Sequence, residues 1–352
     1  MIEVLVVGGG VCGVRLAGLL AARGVPFVLA ESRAPLGGRV RTERLEDPRG
    51  YVDLGPAWVW PHQPRVLDLL RRHGVGTFEQ YTRGRLIFQD ERGSTRPFDM
   101  ATMGGSLRIE GGMLGLVEAL GAAVDRDACW LGAHLQTLTR TRGGVRASFA
   151  DGRTLEARKV VLALPPRIAA NTLTFEPRLP DPFRQALRRV PTWMAGHAKA
   201  LAVYDTPWWR EHGLNGDAVS HCGPLGELHD ASPHDLSCGA LFGFFARPAP
   251  WRRQYRATLE ERVRAQLSTL YGEPAGSPRR LLLLDWAEDP LVATEADEVL
   301  LREHPPYGPV REDAGPWAQV LLLSGTETAP TEGGYIEGAL AAAEWAAQAL
   351  GG

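Results

Sequence analysis

Three glycines near the N-terminus have the spacing of a dinucleotide-binding turn. Gly8, Gly10 and Gly13 follow the pattern GxGxxG, and Glu31 lies about 20 residues beyond them. Gly8 permits a tight turn, Gly10 lets the backbone approach a pyrophosphate, and Gly13 lets a helix pack closely on a strand. The carboxylate of Glu31 can accept a hydrogen bond from a ribose hydroxyl. The pattern predicts a dinucleotide site, and the alternative is a glycine-rich turn without a ligand.

The segments around these glycines predict the elements that would position them. A β-branched apolar run at Glu3–Val7 predicts a buried parallel strand, and apolar residues then recur with helical spacing as far as Gly24. A second apolar run at 26–30 predicts the next strand, which ends at Glu31. The helix would begin at the glycine turn and point its free N–H groups at the pyrophosphate. This βαβ context favours the dinucleotide site over the bare turn.

Lysine is almost absent from this chain. Lys159 and Lys199 are the only lysines among 39 basic residues, and the rest are arginines. Arg can replace Lys on a solvated surface, so a retained Lys can have a task that Arg cannot perform. One such task needs a cation whose pKa falls on burial, because Arg stays charged. Alternation at 198–203 predicts a strand that projects Lys199 to one face.

The bulk composition excludes some classes of function. A formal net charge of -2 over 352 residues offers no field that would attract nucleic acid or anionic lipid. The four cysteines have neither CxxC nor zinc-site spacing, so we expect reduced thiols. We find no signal peptide and no membrane-spanning run, which predicts a cytoplasmic protein. Arg252, Arg253 and Arg256 predict the solvated start of a helix.

Several longer segments resemble one family, the flavin monoamine oxidases. Residues 31–42 (ESRAPLGGRVRT) resemble the stretch after the second strand in many FAD enzymes, and residues 53–58 (DLGPAW) resemble the DLGGAW that passes beside the flavin ring. Residues 324–328 (SGTET) and 334–339 (GYIEGA) resemble the family's AGTET and GYMEGA. Residues 199–209 resemble its K-x-x-x-x-Y-x-x-PFW. The resemblance spans nearly the whole chain and implies FAD rather than NAD.

The resemblance also implies roles for individual residues. Lys199 corresponds to a lysine that hydrogen-bonds a water beside flavin N5, and Tyr335 corresponds to one of two aromatic rings that flank the substrate. Trp286 lies in a segment similar to the W-x-x-x-P-Y strand beside the flavin. Glu327 would bind the ribityl or ribose side, and N–H groups near Ile336 would stabilise negative charge on the reduced flavin. Together with the dinucleotide motif, the implied cofactor-binding residues are Gly8, Gly10, Cys12, Gly13, Glu31, Arg33, Gly37, Gly38, Arg39, Gly55, Pro56, Ala57, Trp58, Leu135, Trp286, Gly325, Glu327, Tyr335 and Ile336.

The chain departs from the family pattern in three places. Pro56 replaces a glycine and removes a backbone N–H that a cofactor could use. The segment 61–110 is short and predicts one helix at 65–73 and little else, where the family carries a helical cap over the substrate. The second aromatic ring would fall at Leu300 or a neighbour, with Tyr307 as a substitute. The same region has no cysteine, so we expect FAD to be bound non-covalently.

These patterns predict an α/β protein with an FAD-binding, Rossmann-like doubly wound domain and an interleaved mixed-sheet α+β substrate domain. The first would comprise residues 1–62, 110–186 and 293–352, and the second residues 63–109 and 187–292. The resemblance implies an oxidoreductase that passes a hydride from an amine to flavin N5, with O2 as reoxidant, giving H2O2 and an imine. The alternatives are another flavin-dependent dehydrogenase or desaturase, an NAD(P)H oxidase, or a flavin-binding module of a biosynthetic complex. We expect a small amine and O2 as partners, no nucleic acid and no membrane, and the oligomeric state stays open.

Overall fold

The computed structural model describes residues 1–46, 50–301 and 303–351. Among these residues the α-helices are α1 (Val11–Ala22), α2 (Pro64–Arg72), α3 (Leu114–Gly121), α4 (Pro166–Thr172), α5 (Asp181–Arg189), α6 (Ala249–Gln254), α7 (Leu259–Tyr271) and α8 (Ile336–Leu350). Within the described part of the chain, none of these helices has the length and apolar content needed to cross a membrane.

The strands, in chain order, are β1 (Ile2–Val7), β2 (Phe27–Ala30), β3 (Thr42–Leu45), β4 (Gly50–Asp53), β5 (Thr77–Glu79), β6 (Arg85–Gln89), β7 (Thr95–Phe98), β8 (Leu107–Ile109), β9 (Cys129–Trp130), β10 (Leu135–Arg140), β11 (Val145–Phe149), β12 (Thr154–Leu162), β13 (Thr174–Glu176), β14 (Ala198–Tyr204), β15 (Leu214–Ser220), β16 (Leu225–Asp230), β17 (Gly239–Phe245), β18 (Arg280–Asp285) and β19 (Leu321–Leu323). Most of them belong to two large sheets, which have eight and seven strands.

The eight-stranded sheet contains the predicted βαβ unit. Its order is β13-β10-β11-β12-β1-β2-β9, with β19 paired to β12, and β1 runs parallel to both β2 and β12. Side chains of β1 alternate between its two faces, because a strand has a period of two residues. Val4 and Val6 pack with α1, α3 and α8, whereas Leu5 and Val7 pack with α4 and α5. The sheet is therefore covered by helices on both faces, and the doubly wound prediction is confirmed.

The seven-stranded sheet has the order β18-β14-β17-β16-β15-β6-β7 and is largely antiparallel. On β14 the small residues Ala198, Ala200 and Ala202 face α7, whose apolar side chains cover that side. The alternate residues Leu201 and Val203 face the opposite way and pack against the loop that follows β4. Lys199 shares the face of Leu201, as the alternation of the sequence predicted.

The region before residue 110 differs from its prediction. The sequence predicted a helix at 65–73 and little else, and α2 does cover Pro64–Arg72. The structure adds β5 to β8, of which β6 and β7 extend the seven-stranded sheet through a parallel pairing of β6 with β15. The apolar run of β6 was visible in the sequence, but its partner lies more than a hundred residues away. All strands of the eight-stranded sheet lie in the segments that we propose as the FAD-binding domain. All strands of the seven-stranded sheet lie in the segments that we propose as the substrate domain.

Candidate active site

The glycine turn connects β1 to α1 at the carboxyl edge of the eight-stranded sheet. Gly8 has φ +105°, and a Cβ there would lie 2.6 Å from the carbonyl oxygen of Ala163. A Cβ on Gly13 would lie 1.8 Å from the carbonyl oxygen of Gly8, so only glycine allows α1 to approach the turn this closely. The first N–H groups of α1 are without partners in the helix, as at every helix start. The turn therefore offers backbone donors to an anion.

Glu31 lies just beyond β2 and is fixed by backbone donors. Its Oε2 accepts from the N–H of Gly9 at 2.6 Å, and its Oε1 accepts from the N–H of Arg33 at 2.8 Å. A carboxylate oxygen has more than one lone pair, so both oxygens keep acceptor capacity for a ribose hydroxyl. The guanidinium of Arg33 pairs with Asp289, which ties this end of the site to the segment after β18.

Lys199 is buried and contacts the loop that resembles the flavin-side motif. Its Nζ donates to the carbonyl oxygen of Gly55 and lies 4.8 Å and 4.9 Å from the ring centroids of Phe242 and Phe244. Burial lowers the pKa of Lys199 from 10.5 to about 8; the negative charge of Asp53 opposes this shift, and the positive charge of Arg108 adds to it. The structure thus places a buried ammonium with a lowered pKa where the sequence predicted a functional lysine.

Trp58 forms an aromatic wall beside this lysine. Its Nε1 donates to Oε1 of Gln80 at 2.9 Å, and its ring lies 5.0 Å from His229 and 5.1 Å from Phe242. The orientation of the indole is therefore fixed by a hydrogen bond at one edge and by ring contacts on its sides.

His229 supports Trp58 from the interior of the seven-stranded sheet. Its Nδ1 lies 3.1 Å from Oδ1 of Asp217, and its Nε2 lies 3.1 Å from Oε1 of Glu227. Burial disfavours the imidazolium, but the two carboxylates outweigh it and raise the pKa of His229 above 6.5. Glu227 lies on the same strand, β16, whereas Asp217 lies on β15, and sequence reasoning did not connect this histidine to either carboxylate.

Arg39 and Glu327 form a buried ion pair rather than two free groups. Two guanidinium nitrogens of Arg39 donate to Oε1 and Oε2 of Glu327 at 2.5 Å and 3.0 Å. The N–H of Trp193 also donates to Glu327, at 3.3 Å. The sequence predicted that both residues bind the cofactor directly. In the structure their side chains bind each other. This ion pair joins the segment after β2 to the segment after β19.

Tyr335 is the N-cap residue of α8, so its ring stands beside the start of that helix. Its ring is stacked on the imidazole of His304, with centroids 5.1 Å apart and planes 3° apart. Tyr307 contacts the same imidazole, with ring centroids 5.4 Å apart, and its role as a second substrate-flanking ring stays a prediction. Leu300, the other candidate, makes no ring contact because it is aliphatic.

Trp286 directly follows β18, which ends at Asp285, and residues Trp286–Glu288 form a 3-10 turn that the Asp285 carboxylate caps by accepting from the N–H of Ala287. One prediction about local structure was wrong. Arg252 is not solvated. It is 2% exposed and its guanidinium donates to both carboxylate oxygens of Asp285 at 2.6 Å.

His197 is a cavity residue that sequence reasoning missed. It precedes Lys199 by two residues, so the alternation that placed the lysine would also have placed this imidazole on the same side. Burial lowers the pKa of His197 to about 4, with Arg252 and Lys199 contributing. The ring is therefore neutral at physiological pH. Phe242 and Phe244 were also missed, because only the pairing of β14 with β17 sets them beside Lys199.

One cavity of about 790 Å³ is lined by all of the predicted site residues except Gly13. It begins at the carboxyl ends of β1 and β12, where ligands bind in doubly wound sheets, and reaches Lys199 and Phe244 of the seven-stranded sheet. Gly13 lies behind the turn and serves the packing of α1. Among the described residues, no group of His, Cys, Asp and Glu has a metal-binding arrangement. The roles of the lining residues toward a cofactor remain predictions.

Comparison with known proteins identifies the family. A family model described as flavin containing amine oxidoreductase matches residues 94–351, and a model described as NAD(P)-binding Rossmann-like domain matches residues 6–73. The chain belongs to the flavin-containing amine oxidoreductase family. It is therefore an oxidoreductase of the flavin-dependent amine oxidase type, as the sequence predicted.

Individual relatives are similar over nearly the whole chain. A flavin-containing amine oxidase of Oncorhynchus mykiss is 26% identical, with 98% of this chain and 85% of the relative covered. A flavin-containing amine oxidase B of Sus scrofa is 25% identical, with coverage of 99% and 86%. The first alignment runs over 454 positions, more than the 352 residues of this chain, so the relative contains segments that this member of the family lacks.

Solved structures share the fold. A putrescine oxidase solved with putrescine superimposes with a TM-score of 0.82 at 18% identity, covering 99% of this chain and 98% of that chain. Cyclohexylamine oxidase from Brevibacterium oxydans IH-35A superimposes with a TM-score of 0.83 at 19% identity and the same coverage. These similarities extend the fold assignment to the whole chain.

Proposed function

We propose that this chain is an oxidase of small amines that binds FAD without a covalent bond and uses O2 as the electron acceptor. The observation that carries the proposal is the buried ammonium of Lys199, which lies in the same cavity as the glycine turn and Tyr335. A nucleotide-binding turn alone would fit many cofactor proteins. A buried lysine beside the DLGPAW loop ties this cavity to flavin chemistry with oxygen.

The cavity fits an extended dinucleotide. A Cβ on Gly10 would have no described atom nearer than 3.9 Å, so the space in front of this residue is open to a phosphate group. Glu31 lines the cavity and is available to a ribose hydroxyl, and Ile336 at the N-terminus of α8 lines it as well. That helix start would stabilise negative charge on a reduced flavin, because its first N–H groups carry the positive end of the helix dipole.

The chemical state of the cavity cysteine, Cys12, supports non-covalent binding of FAD. Cys12 is the only cysteine among the described residues that line the cavity. Burial raises the pKa of its thiol to about 12, and its Sγ lies 3.2 Å from the carbonyl oxygen and from the hydroxyl of Ser324. A thiol in this environment stays protonated and is a weak nucleophile. Flavin should therefore leave the protein when the protein is denatured.

The protein would orient the amine and control charge around it. When bound, the flavin would accept a hydride equivalent from the α-carbon of a neutral amine, leaving an imine, and O2 would take up the two electrons and two protons as H2O2. Trp58, Phe244 and Tyr335 supply an apolar wall that orients the amine and excludes water. Lys199 supplies a fixed positive charge that favours reduction of O2 and can hold a water through its remaining donors.

The proposal is tested by an anaerobic absorbance spectrum of the purified protein, followed by titration with amines. We expect an oxidised-flavin spectrum that bleaches on addition of a small amine and recovers on admission of air. Bleaching by NADH alone would contradict amine oxidation and support the NAD(P)H oxidase alternative. Absence of flavin even after addition of FAD would contradict the proposal as a whole.

A pair of glycine variants locates the cofactor in this cavity. Gly10→Leu fills the space that we assign to the phosphate, so it should lose flavin. Gly121→Leu is the matched control, because a Cβ at that position meets nothing among the described residues within 4 Å. Loss of flavin in both variants, or in neither, would contradict the placement. Flavin content per chain, measured after denaturation, is the readout.

A further inference from the structure

The imidazole of His304 is exposed on one side and contacts three aromatic rings. Tyr335 stacks on it with centroids 5.1 Å apart and planes 3° apart. Trp193 lies 4.6 Å away at an interplanar angle of 58°, and Tyr307 lies 5.4 Å away at 89°. The rings of His304 and Tyr335 are parallel, whereas the other two rings approach the imidazole at steeper angles. His304 therefore links Tyr335 to the rings behind it.

Hydrogen bonds hold the ring of Tyr307 and the backbone of Trp193. The hydroxyl of Tyr307 donates to the carbonyl oxygen of Pro191 at 3.0 Å. The carbonyl oxygen of Trp193 accepts from Arg39 at 3.2 Å, and its N–H donates to Glu327 at 3.3 Å. The ring cluster is thus fixed to the same ion pair that joins two cavity segments.

The backbone beneath the cluster leaves no room for a side chain. Gly334 has φ +85°, and a Cβ there would lie 2.8 Å from Nε2 of His304. The same Cβ would lie 3.2 Å from a ring carbon of Trp193 and from a ring carbon of Tyr307. The absence of a side chain at Gly334 therefore allows the imidazole of His304 to stack on the ring of Tyr335.

The separation of the two stacked rings excludes a substrate between them. Carbon atoms in contact lie about 3.5–4.0 Å apart, so an alkyl chain held between two ring faces needs them roughly 7–8 Å apart. The centroids of His304 and Tyr335 are only 5.1 Å apart. Tyr335 lines the cavity, so it must present its remaining surface to an occupant. The substrate site would have one aromatic wall at this place rather than a sandwich of two.

We propose that His304 is a positioning residue for Tyr335 and thereby for the amine, an inference that rests on the proposed amine oxidation. Tyr335 is 40% exposed, and a phenol so placed would otherwise rotate about its side-chain bonds. The imidazole stack holds the ring in one orientation before the amine arrives. Preorganisation of this kind lowers the entropic cost of binding.

Anaerobic flavin reduction by an amine tests the role in binding. His304→Ala removes the stack and should weaken apparent amine affinity by roughly three- to tenfold, as expected for loss of one aromatic contact, with a smaller change in the limiting reduction rate. His304→Phe keeps a flat ring and should restore the affinity. His73→Ala, an exposed histidine after α2, is the matched control and should resemble the wild type. Unchanged affinity in His304→Ala, or failure of His304→Phe to restore it, would overturn the role.

A spectroscopic measurement tests the ring pair without any turnover. In protein labelled at histidine, the ring protons of His304 should resonate upfield because its ring is parallel to that of Tyr335 with centroids 5.1 Å apart. Tyr335→Leu should reduce that shift, with Trp193 and Tyr307 supplying the remainder, while the other histidine signals keep their positions. A His304 signal at an ordinary position in the wild type would overturn the inference even if amines are oxidised. If no amine reduces the wild-type flavin, the proposed function and the role in amine binding both fail, and the spectrum alone then decides the stack.

Discussion

Replacement of Lys199 with Met should make the flavin-free protein more stable and the flavin-loaded protein less active. Burial lowers the pKa of this lysine from 10.5 to about 8. A shift of that size corresponds to about 3 kcal/mol of unfavourable free energy for the buried ammonium. The hydrogen bond to Gly55 returns about 1 kcal/mol, and Met fills a similar volume. We therefore expect Lys199→Met to raise the free energy of unfolding by about 2 kcal/mol at neutral pH.

The gain should depend on pH in one direction. Between pH 8 and 10.5 the unfolded wild type keeps a proton on Lys199 that the folded wild type has lost. Stability of the wild type rises with pH wherever the unfolded state binds more protons. The Met variant has no such titration, so its advantage should be full below pH 8 and should reverse above pH 10.5, where only the lost hydrogen bond of about 1 kcal/mol remains. Urea unfolding of flavin-free protein across this window measures it.

Reoxidation of the reduced flavin supplies the second half of the test. Lys199→Met should slow the reaction with O2, because the fixed positive charge beside the oxygen-reacting centre is gone. Lys159→Met is the matched control, since Lys159 is the only other lysine and lies outside the cavity. Wild-type reoxidation in Lys199→Met, or a stability difference that is the same at every pH, would refute the reasoning.

Three further changes test other contacts. Gly13→Ala should lose FAD and at least about 2 kcal/mol of stability, because its Cβ would lie 1.8 Å from the Gly8 carbonyl oxygen. Gly18→Ala in the same helix is the control and should keep wild-type FAD content and stability. Thermal melting and flavin content per chain measure the two effects. His197 has its pKa lowered by burial to about 4, so wild-type stability should fall as pH drops from 6.5 to 4, and His197→Gln should lack that fall in urea titrations. His229 has its pKa raised by Asp217 and Glu227 against burial, so its stabilisation is present below pH 6.5 and is lost as pH rises through the folded-state pKa. His229→Gln should therefore cost more stability at mildly acidic than at alkaline pH, and an equal cost at both would contradict the carboxylate pairing.

The features that the sequence predicted correctly depend on short-range geometry. The glycine turn, α1 and the parallel strands β1 and β2 follow from spacing within about thirty residues, where apolar periodicity and the steric needs of glycine act together. The face of Lys199 follows from the two-residue period of β14 alone. These predictions needed no knowledge of distant partners.

The features that were missed depend on partners far along the chain. Arg252 looked like a solvated cation because its carboxylate partner, Asp285, lies 33 residues away on β18. Strand β6 pairs with β15, which lies more than a hundred residues away in the sequence. The apolar run of β6 therefore did not show which sheet it joins. His304 reaches Tyr335 only because Gly334 lacks a side chain, and no spacing rule connects the two rings.

The buried cations near the cavity show why a lysine, rather than another arginine, stands at residue 199. Arg108 donates to the carbonyl oxygens of Ala231 and Ser232, so its fixed charge is matched by two backbone acceptors. Lys199 has three donors, and Gly55 supplies the one acceptor that the described residues provide, while aromatic faces and the cavity surround the rest. An arginine there would bring five donors and a charge that burial cannot remove. The remaining N–H donors of Lys199 face the cavity. We expect them to donate to the bound cofactor and to a water beside it.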